Sequence, residues 1–197
     1  MISVIIVLYR TPLKKIQEIK KYKQFKLYIF EQEGSNIREK FLKKKLKFEF
    51  EYFFSKKNIG LSKAINFLIN KVDTKYCLVT EPDIEISLKD IFILEKFIKK
   101  NKKYIIAGPT YIHNKKKPKV RNIKKDYKIK NFIDPSCVLF DVKLFKEMKF
   151  YDDDYPFYWG DIDLMKRIND TTYKIIELQK VFVLHEQNAS TSNNLKI

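Results

Sequence analysis

Cysteine and long apolar runs are both scarce in this sequence, and each scarcity excludes a class of protein. The two cysteines, Cys77 and Cys137, lie inside apolar runs and match no metal-ligand spacing, so we expect buried free thiols. No apolar run is long enough to cross a bilayer. The N-terminus, MISVIIVLYR, has no basic region before its apolar stretch and no small-residue cleavage site after it, which argues against a signal peptide. We therefore expect a cytoplasmic protein.

The composition is that of a folded protein with an excess of positive charge. Hydrophobic residues make up 45% of the 197 residues and aromatic residues 15%, which predicts one packed domain rather than a disordered chain. Lysine and arginine number 41 against 24 acidic residues, so the formal net charge is +17. A solvated lysine-rich surface would explain this charge, and so would attraction to a membrane surface, a phosphorylated substrate or nucleic acid. Composition does not distinguish among these.

Short apolar runs alternate with helical patterns along most of the chain. Strands are predicted at residues 3–9, 26–30, 48–54, 76–80, 104–107, 137–140, 173–177 and 181–184. This alternation predicts the α/β class, with a doubly wound and largely parallel sheet.

Several helix starts carry recognisable signals. Thr11 and Pro12 predict an N-cap and a first helical residue, followed by an apolar stripe at Leu13, Ile16 and Ile19. Ser87 begins a sequence typical of a capping box, with a helix reaching about residue 100. The clearest helical pattern is NIGLSKAINFLIN at residues 58–70, whose N-terminus could offer backbone N–H groups to a phosphate.

Two carboxylates follow the buried strand at residues 76–80. Glu81 and Asp83 flank Pro82, directly after the strand ends. The carboxyl ends of strands in an open α/β sheet border the ligand crevice, so acids placed there can hold a metal ion. The alternative is a pair of ordinary turn residues, with Asp83 bonding its own backbone.

A second acidic cluster, FYDDDYPFYWGDIDLMKRI, occupies residues 150–168. Asp163 lies four residues before Arg167, the spacing of an ion pair on one helix face. Asp161 either caps a helix that begins at Ile162 or, beside Tyr158 and Trp159 in a cleft wall, serves as a general base. His185 follows the last predicted strand, where it is either structural or a metal ligand.

Residues 109–131 show no regular period and are strongly basic. A solvated loop explains this stretch, and so does a contact with an anionic acceptor or a membrane surface. Its basic residues are Lys115, Lys116, Lys117, Lys119, Arg121, Lys124, Lys125, Lys128 and Lys130.

Five short motifs, taken together, resemble family 2 glycosyltransferases with the GT-A fold, especially the rhamnosyltransferase-like branch. They are SVIIVLYR, NIGLSKAIN, EPD, YDDDYPFYWGDIDLMKR and HEQNAS, and they span nearly the whole chain in the family's order. The resemblance implies a Rossmann-like three-layer sandwich with a mostly parallel central sheet. It also implies one domain over residues 1–197, in which residues 1–108 bind the nucleotide sugar and residues 109–197 bind the acceptor.

The resemblance implies an inverting transfer of a hexose from a nucleoside-diphosphate sugar to the hydroxyl of a glycan or lipid-linked acceptor, in cell-surface glycan biosynthesis. A divalent cation, Mg²⁺ or Mn²⁺, would neutralise the leaving diphosphate, and a carboxylate would accept the hydroxyl proton. A peripheral contact of the basic surface with the inner face of the membrane is a further hypothesis. The implied roles are metal binding by Asp83 and His185, general base catalysis by Asp161, nucleotide binding by Tyr9, Glu31, Asn58, Gly60 and Glu81, and acceptor binding by Asp152 and Trp159.

Three residues depart from the family pattern, and the chain has only four glycines. Glu31 stands where aspartate is usual, Gly160 replaces an acid that usually precedes the catalytic aspartate, and Pro135 replaces a common glycine. These departures leave open a catalytically decayed protein that keeps the fold for binding. A nucleic-acid-binding protein, using the lysine-rich stretch and its aromatic residues Tyr111, Tyr127 and Phe132, would leave the acidic motifs without a purpose, so we expect no nucleic acid partner.

Overall fold

The computed structural model describes residues 1–112 and 126–185 and contains one mixed sheet with helices on both faces. Nine strands are present in the described residues: β1 (Ile2–Tyr9), β2 (Lys26–Gln32), β3 (Glu51–Ser55), β4 (Tyr76–Thr80), β5 (Ile84–Glu85), β6 (Tyr104–Ile112), β7 (Tyr127–Lys130), β8 (Cys137–Asp141) and β9 (Lys174–His185). The helices are α1 (Leu13–Glu18), α2 (Asn36–Leu46), α3 (Leu61–Ile69), α4 (Leu88–Ile98), α5 (Val142–Glu147) and α6 (Gly160–Asn169), and a 3₁₀ turn at Ile19–Tyr22 follows α1.

Eight strands of the sheet lie in the order β3-β2-β1-β4-β8-β6-β9-β5, and the ninth, β7, pairs with β9 outside this path. Strands β3, β2, β1 and β4 are parallel neighbours, and β6 runs parallel to β9. Strand β8 lies antiparallel between β4 and β6, and the short β5 and β7 are antiparallel to β9. The long ladders are mostly parallel, which confirms the predicted α/β sheet.

Alternating side chains of the strands pack into two apolar cores, one on each face of the sheet. Val4 and Ile6 of β1 belong to a core that also contains residues of α1, α2 and α4. Ile5 belongs to the other core, with residues of α3, α5 and α6. Because a strand directs successive side chains to opposite faces, a nearly continuous apolar strand needs cover on both sides. The result is the expected three-layer sandwich.

The basic stretch is more regular than predicted. Strand β6 continues to Ile112, and β7 forms from residues that the sequence pattern left irregular. The two predicted C-terminal strands are also one strand, because β9 continues through a register shift opposite Pro109 and Thr110. Lys128 and Lys130 lie on β7, whereas the other seven basic residues of the stretch, Lys115, Lys116, Lys117, Lys119, Arg121, Lys124 and Lys125, lie outside the described residues.

Helix starts were predicted with mixed success. Ser87 does cap α4, since its Oγ accepts from the backbone N–H of Asp90 at 3.1 Å. Thr11 does not cap α1, because the helix begins one residue later, with Pro12 in the extended cap position and no side-chain cap. Asp161 is also not a cap, because α6 begins at Gly160 and Asp161 lies inside its first turn.

Other expectations concern burial and membranes. Cys77 and Cys137 are buried free thiols, as predicted. No helix in the described part of the chain combines the length and apolar character that a bilayer crossing needs.

Candidate functional site

Two adjoining cavities open at the carboxyl ends of β1 and β4. The first, which we name the donor-side cavity, measures about 250 Å³ and is lined by Val7, Tyr9, Thr11, Pro12, Lys15, Gln32, Asn58, Leu61, Glu81, Pro82, Asp83, Phe157 and Tyr158. The second, the Asp161 cavity, measures about 230 Å³ and is lined by Val7, Leu61, Ser62, Ile65, Val79, Thr80, Glu81, Pro135, Ser136, Tyr151, Phe157, Tyr158, Trp159, Gly160 and Asp161. Glu81 lines both cavities and therefore lies on the wall between them.

Glu81, Asp83 and His185 meet in one acidic cluster beside this wall. The histidine Nε2 lies 3.6 Å from Glu81 Oε2 and 3.7 Å from Asp83 Oδ2. Antiparallel pairing of β5 with the end of β9 produces the meeting, because Ile84 pairs with His185 and thereby places Asp83 beside it. One ligand atom from each of the three residues lies within 4.8 Å of the other two.

The electrostatics of this cluster favour a bound cation. Burial, and then the charge of Glu81, raise the pKa of the Asp83 carboxyl, while the charge of His185 and a bond from its own backbone lower it. Asp83 is therefore more than a turn residue, since its carboxylate also faces the His185 imidazole. The nearby Glu81 carboxylate raises the pKa of His185. Two carboxylates and one imidazole nitrogen fit a divalent cation such as Mn²⁺ or Mg²⁺.

His185 also has a buried Nδ1 without a hydrogen-bond partner in residues 1–112 and 126–185. Its Nε2 is the nitrogen that faces the two carboxylates. The imidazole is therefore oriented with one nitrogen toward the predicted metal position, as the expectation for His185 requires.

The turn before α3 is held by the side chain of Gln32. Its Oε1 accepts from the Ile59 N–H at 3.0 Å, and its Nε2 donates to the Gly60 carbonyl at 3.0 Å. Asn58 closes the turn by accepting from the Gly60 N–H at 2.9 Å. Gly60 adopts φ +92°, and a Cβ there would lie 2.1 Å from the Pro156 carbonyl oxygen, so the position requires glycine.

The predicted nucleotide-binding residues fall into two groups. Tyr9, Asn58 and Glu81 line the donor-side cavity, and Gly60 shapes the turn beside it. Glu31 is not among the described lining residues of either cavity. It is buried, and it accepts hydrogen bonds from Arg38 Nε at 2.8 Å and from the Tyr52 hydroxyl at 2.7 Å.

The expected phosphate contact at the N-terminus of α3 is partly occupied by protein. The Ser62 N–H donates to the Pro156 carbonyl at 3.2 Å. That bond leaves this N–H group unavailable to a ligand in the structure. It also attaches the loop at residues 151–159 to the start of α3.

Asp161 lines the second cavity from the first turn of α6, together with Trp159. Trp159 precedes the helix in a left-handed conformation with φ 69°, and 65% of its surface is exposed at the rim. Asp152 is exposed, and its carboxylate accepts from the Asp154 N–H at 2.9 Å. Among the described lining residues, Asp152 belongs to neither cavity, so the two predicted acceptor residues do not line a common cavity.

Gly160 has a packing explanation. A Cβ at this position would lie 2.5 Å from Ser62 Oγ and 3.1 Å from the Tyr155 carbonyl oxygen. The absence of a side chain lets α6 approach α3 closely. This departure from the family pattern therefore requires no loss of function to explain it.

Asp163 forms the predicted ion pair, with its Oδ2 2.7 Å from Arg167. The same guanidinium donates to the carbonyls of Met148 and Phe150. Asp163 is thus committed to holding α6 against the chain that enters the 151–159 loop, which leaves Asp161 as the carboxylate facing the cavity.

Sequence reasoning missed Gln32, Lys15 and Phe157 as cavity residues, whereas it did place Tyr158 with Trp159 in a cleft wall. Gln32 follows the predicted residue Glu31, and Phe157 lies inside the second acidic cluster, so proximity in the sequence is a signal that could have found them. Lys15 has no such signal, because it stands in an ordinary amphipathic helix.

A family model and several solved structures match this chain. Residues 13–171 match the model described as glycosyl transferase family 2. A search of curated protein sequences found no match.

The similar structures share the fold at low sequence identity. GalNAc-T7, solved with UDP, GalNAc and Mn²⁺, superposes with a TM-score of 0.70 at 13% identity over 94% of this chain and 43% of its own. The mannosyltransferase PcManGT from Pyrobaculum calidifontis, solved with GDP-Man and Mn²⁺, gives 0.74 at 11% identity over 93% of this chain and 56% of its own. TarS residues 1–349 from S. aureus give 0.68 at 13% identity, covering 93% of this chain and 60% of theirs. The chain therefore spans roughly half the length of these structures.

Proposed function

Because the chain belongs to glycosyl transferase family 2, we propose that it transfers a sugar from a nucleoside-diphosphate sugar to an acceptor hydroxyl with inversion at the anomeric carbon. The sugar is a hexose, and the acceptor is a glycan or lipid-linked hydroxyl in cell-surface glycan biosynthesis. Residues 1–108 supply most of the donor side, and residues 109–197 supply the acceptor side.

The observation that carries this proposal is the acidic cluster of Glu81, Asp83 and His185, of which Glu81 lines both cavities and Asp83 lines the first. A donor placed with its nucleoside near Tyr9 and Asn58 brings its diphosphate toward Asp83. The sugar then lies near Glu81, at the passage into the Asp161 cavity. Two neighbouring cavities that share the carboxylate of Glu81 suit a reaction that joins two substrates.

Asp83 and His185, with Glu81, would hold the divalent cation. When bound, Mn²⁺ or Mg²⁺ supplies Lewis-acid neutralisation of the leaving diphosphate. The GalNAc-T7 and PcManGT structures, which contain Mn²⁺ with a nucleotide or nucleotide sugar, support this choice of cofactor.

Asp161 accepts the proton of the attacking hydroxyl. The acceptor oxygen forms a bond to the anomeric carbon while the bond from that carbon to the diphosphate oxygen breaks, and the diphosphate leaves with the electron pair. Trp159, at the rim of the same cavity, offers an aromatic face to the acceptor. The Asp163–Arg167 pair keeps α6 in place during this step.

Calorimetric titration tests the donor site. Wild-type protein is titrated with UDP, dTDP and GDP, with and without Mn²⁺, alongside Asp83→Ala and Glu85→Ala. Glu85 is the matched control, since it is an exposed acid two residues further along β5. We expect one nucleotide to bind in a Mn²⁺-dependent manner, Asp83→Ala to lose that binding and Glu85→Ala to keep it.

Three other outcomes would contradict the proposal, each in a different part. Absence of binding by every nucleotide would overturn it. Mn²⁺-dependent binding that Asp83→Ala retains would move the cation away from Asp83. Binding without turnover of any donor sugar would support a catalytically decayed binding protein instead.

A further inference from the structure

Lys15 is a buried lysine on the face of α1 that packs against the protein. Only 9% of its surface is exposed, and the neighbouring Lys14 is exposed. The predicted apolar stripe is shifted accordingly, because Ile16 and Ile19 are fully buried whereas Leu13 is 41% exposed. A charged side chain thus occupies a position that packing alone would give to an apolar one.

Lys15 is one of the residues that line the donor-side cavity, together with Glu81 and Asp83. Its Nζ lies 3.2 Å and 3.5 Å from the two carboxylate oxygens of Glu18. Its charge also acts on Asp83, where it opposes the rise in the pKa of that carboxyl.

The negative charges around this cavity favour a second cation in addition to the metal ion. Glu81 and Asp83 carry negative charge, and a nucleoside diphosphate adds at least two further negative charges. One divalent ion does not balance both the acids and the diphosphate. A lysine ammonium is a compact point charge that binds phosphate oxygens well, and it acts more strongly in a half-buried cleft than in open water.

We infer that Lys15 binds the diphosphate of the donor, next to the divalent cation, and that Glu18 holds its ammonium at the cavity wall. This inference rests on the proposed function. Lys15→Met removes one partner of the Lys15–Glu18 pair, so it changes stability as well as charge. The affinity for a diphosphate, compared with that for the free nucleoside, is the readout that separates ligand binding from a structural role.

The test compares Lys15→Met with Lys14→Met, which removes the same charge one residue away. The probes are the nucleoside diphosphate that wild-type protein binds and the corresponding free nucleoside. We expect Lys15→Met to weaken diphosphate binding at least tenfold and to leave nucleoside binding unchanged. Lys14→Met should bind the diphosphate as wild type does.

Glu18→Gln provides a second variant with the opposite expected sign. Removing a negative charge next to the Lys15 ammonium should tighten diphosphate binding severalfold, and this result would stand even if Lys15→Met failed to fold. Wild-type affinity in both Lys15→Met and Glu18→Gln would overturn the inference while leaving the proposed function intact. Absence of nucleotide binding by wild-type protein would overturn both.

Discussion

The side-chain amide of Asn66 bonds to both backbone groups of Tyr151. Its Nδ2 donates to the Tyr151 carbonyl at 2.8 Å, and its Oδ1 accepts from the Tyr151 N–H at 3.1 Å. One side chain on α3 thereby fixes the start of the 151–159 loop, which lines both cavities. This amide therefore connects α3 to a loop that contributes residues to both cavities.

Asn66→Ala should loosen that loop, although Asn66 itself is not among the described lining residues of either cavity. The loss leaves two backbone groups of half-buried chain without partners, and we expect the free energy of unfolding to fall by about 1–3 kcal/mol. Denaturant unfolding measures this loss. Donor turnover should fall further than diphosphate affinity, because the loop leads to Trp159 and Asp161.

Asn70→Ala is the control for Asn66→Ala. Asn70 is the exposed C-cap residue of the same helix, and its amide donates to the Asn66 carbonyl. Equal losses of stability and turnover in the two variants would contradict the role assigned to Asn66.

Gly160→Ala should destabilise the protein, although alanine favours helices more than glycine does. The new Cβ would lie 2.5 Å from Ser62 Oγ, and overpacking of this kind typically costs about 1–3 kcal/mol. Combining it with Ser62→Ala removes the nearest atom, so the double variant should be more stable than the sum of the single effects. Thermal unfolding of the three variants measures this coupling. Unchanged stability in Gly160→Ala would mean that packing does not explain the glycine.

The fold was largely predictable because most elements carry a local pattern. Helix α3 has an apolar stripe of the helical period, and β1 is apolar on both faces, so each pattern predicts the type of its element. Strand β9 was split into two because Gln179 and Lys180 interrupt its apolar pattern. Those residues occupy the register shift opposite β6, where the Gln179 N–H bonds to the Asp126 carbonyl and Lys180 Nζ lies 2.6 Å from the Asp126 carboxylate. A pattern read along one strand does not contain such a partner.

The candidate site was predictable where it lies at strand ends. Asp83 and His185 each follow or end an apolar strand, and the pairing of β5 with β9 brings them together. Lys15 was missed, since the helical pattern of α1 is compatible with either Leu13 or Lys15 on the buried face. The choice between them depends on what the sheet presents to the helix, and only the tertiary structure contains that information.

The two cysteines should resist thiol reagents in the folded protein. Burial raises the pKa of Cys137 to about 12, and it raises the pKa of Cys77 still further, so little reactive thiolate is present at neutral pH. We expect no labelling by a disulfide reagent until denaturant unfolds the chain, when two thiols should react. Rapid labelling without denaturant would contradict the burial, and Cys137→Ala would show which thiol is responsible.

Asp161→Asn is the variant that separates catalysis from binding. Asparagine keeps the size of the side chain but cannot accept the acceptor proton, and positioned general bases typically contribute about 10²- to 10⁴-fold to a rate. Because Asp161 lines the cavity on the far side of Glu81 from the nucleoside site, diphosphate affinity should stay at the wild-type level. Asp163→Asn, two residues away, removes the carboxylate that pairs with Arg167. It should lower the free energy of unfolding and reduce turnover less than Asp161→Asn does. Donor-sugar turnover and calorimetric affinity, measured on both variants, test the assignment of Asp161 as the general base. A larger loss of turnover in Asp163→Asn than in Asp161→Asn, with both variants folded, would assign the base to the other carboxylate.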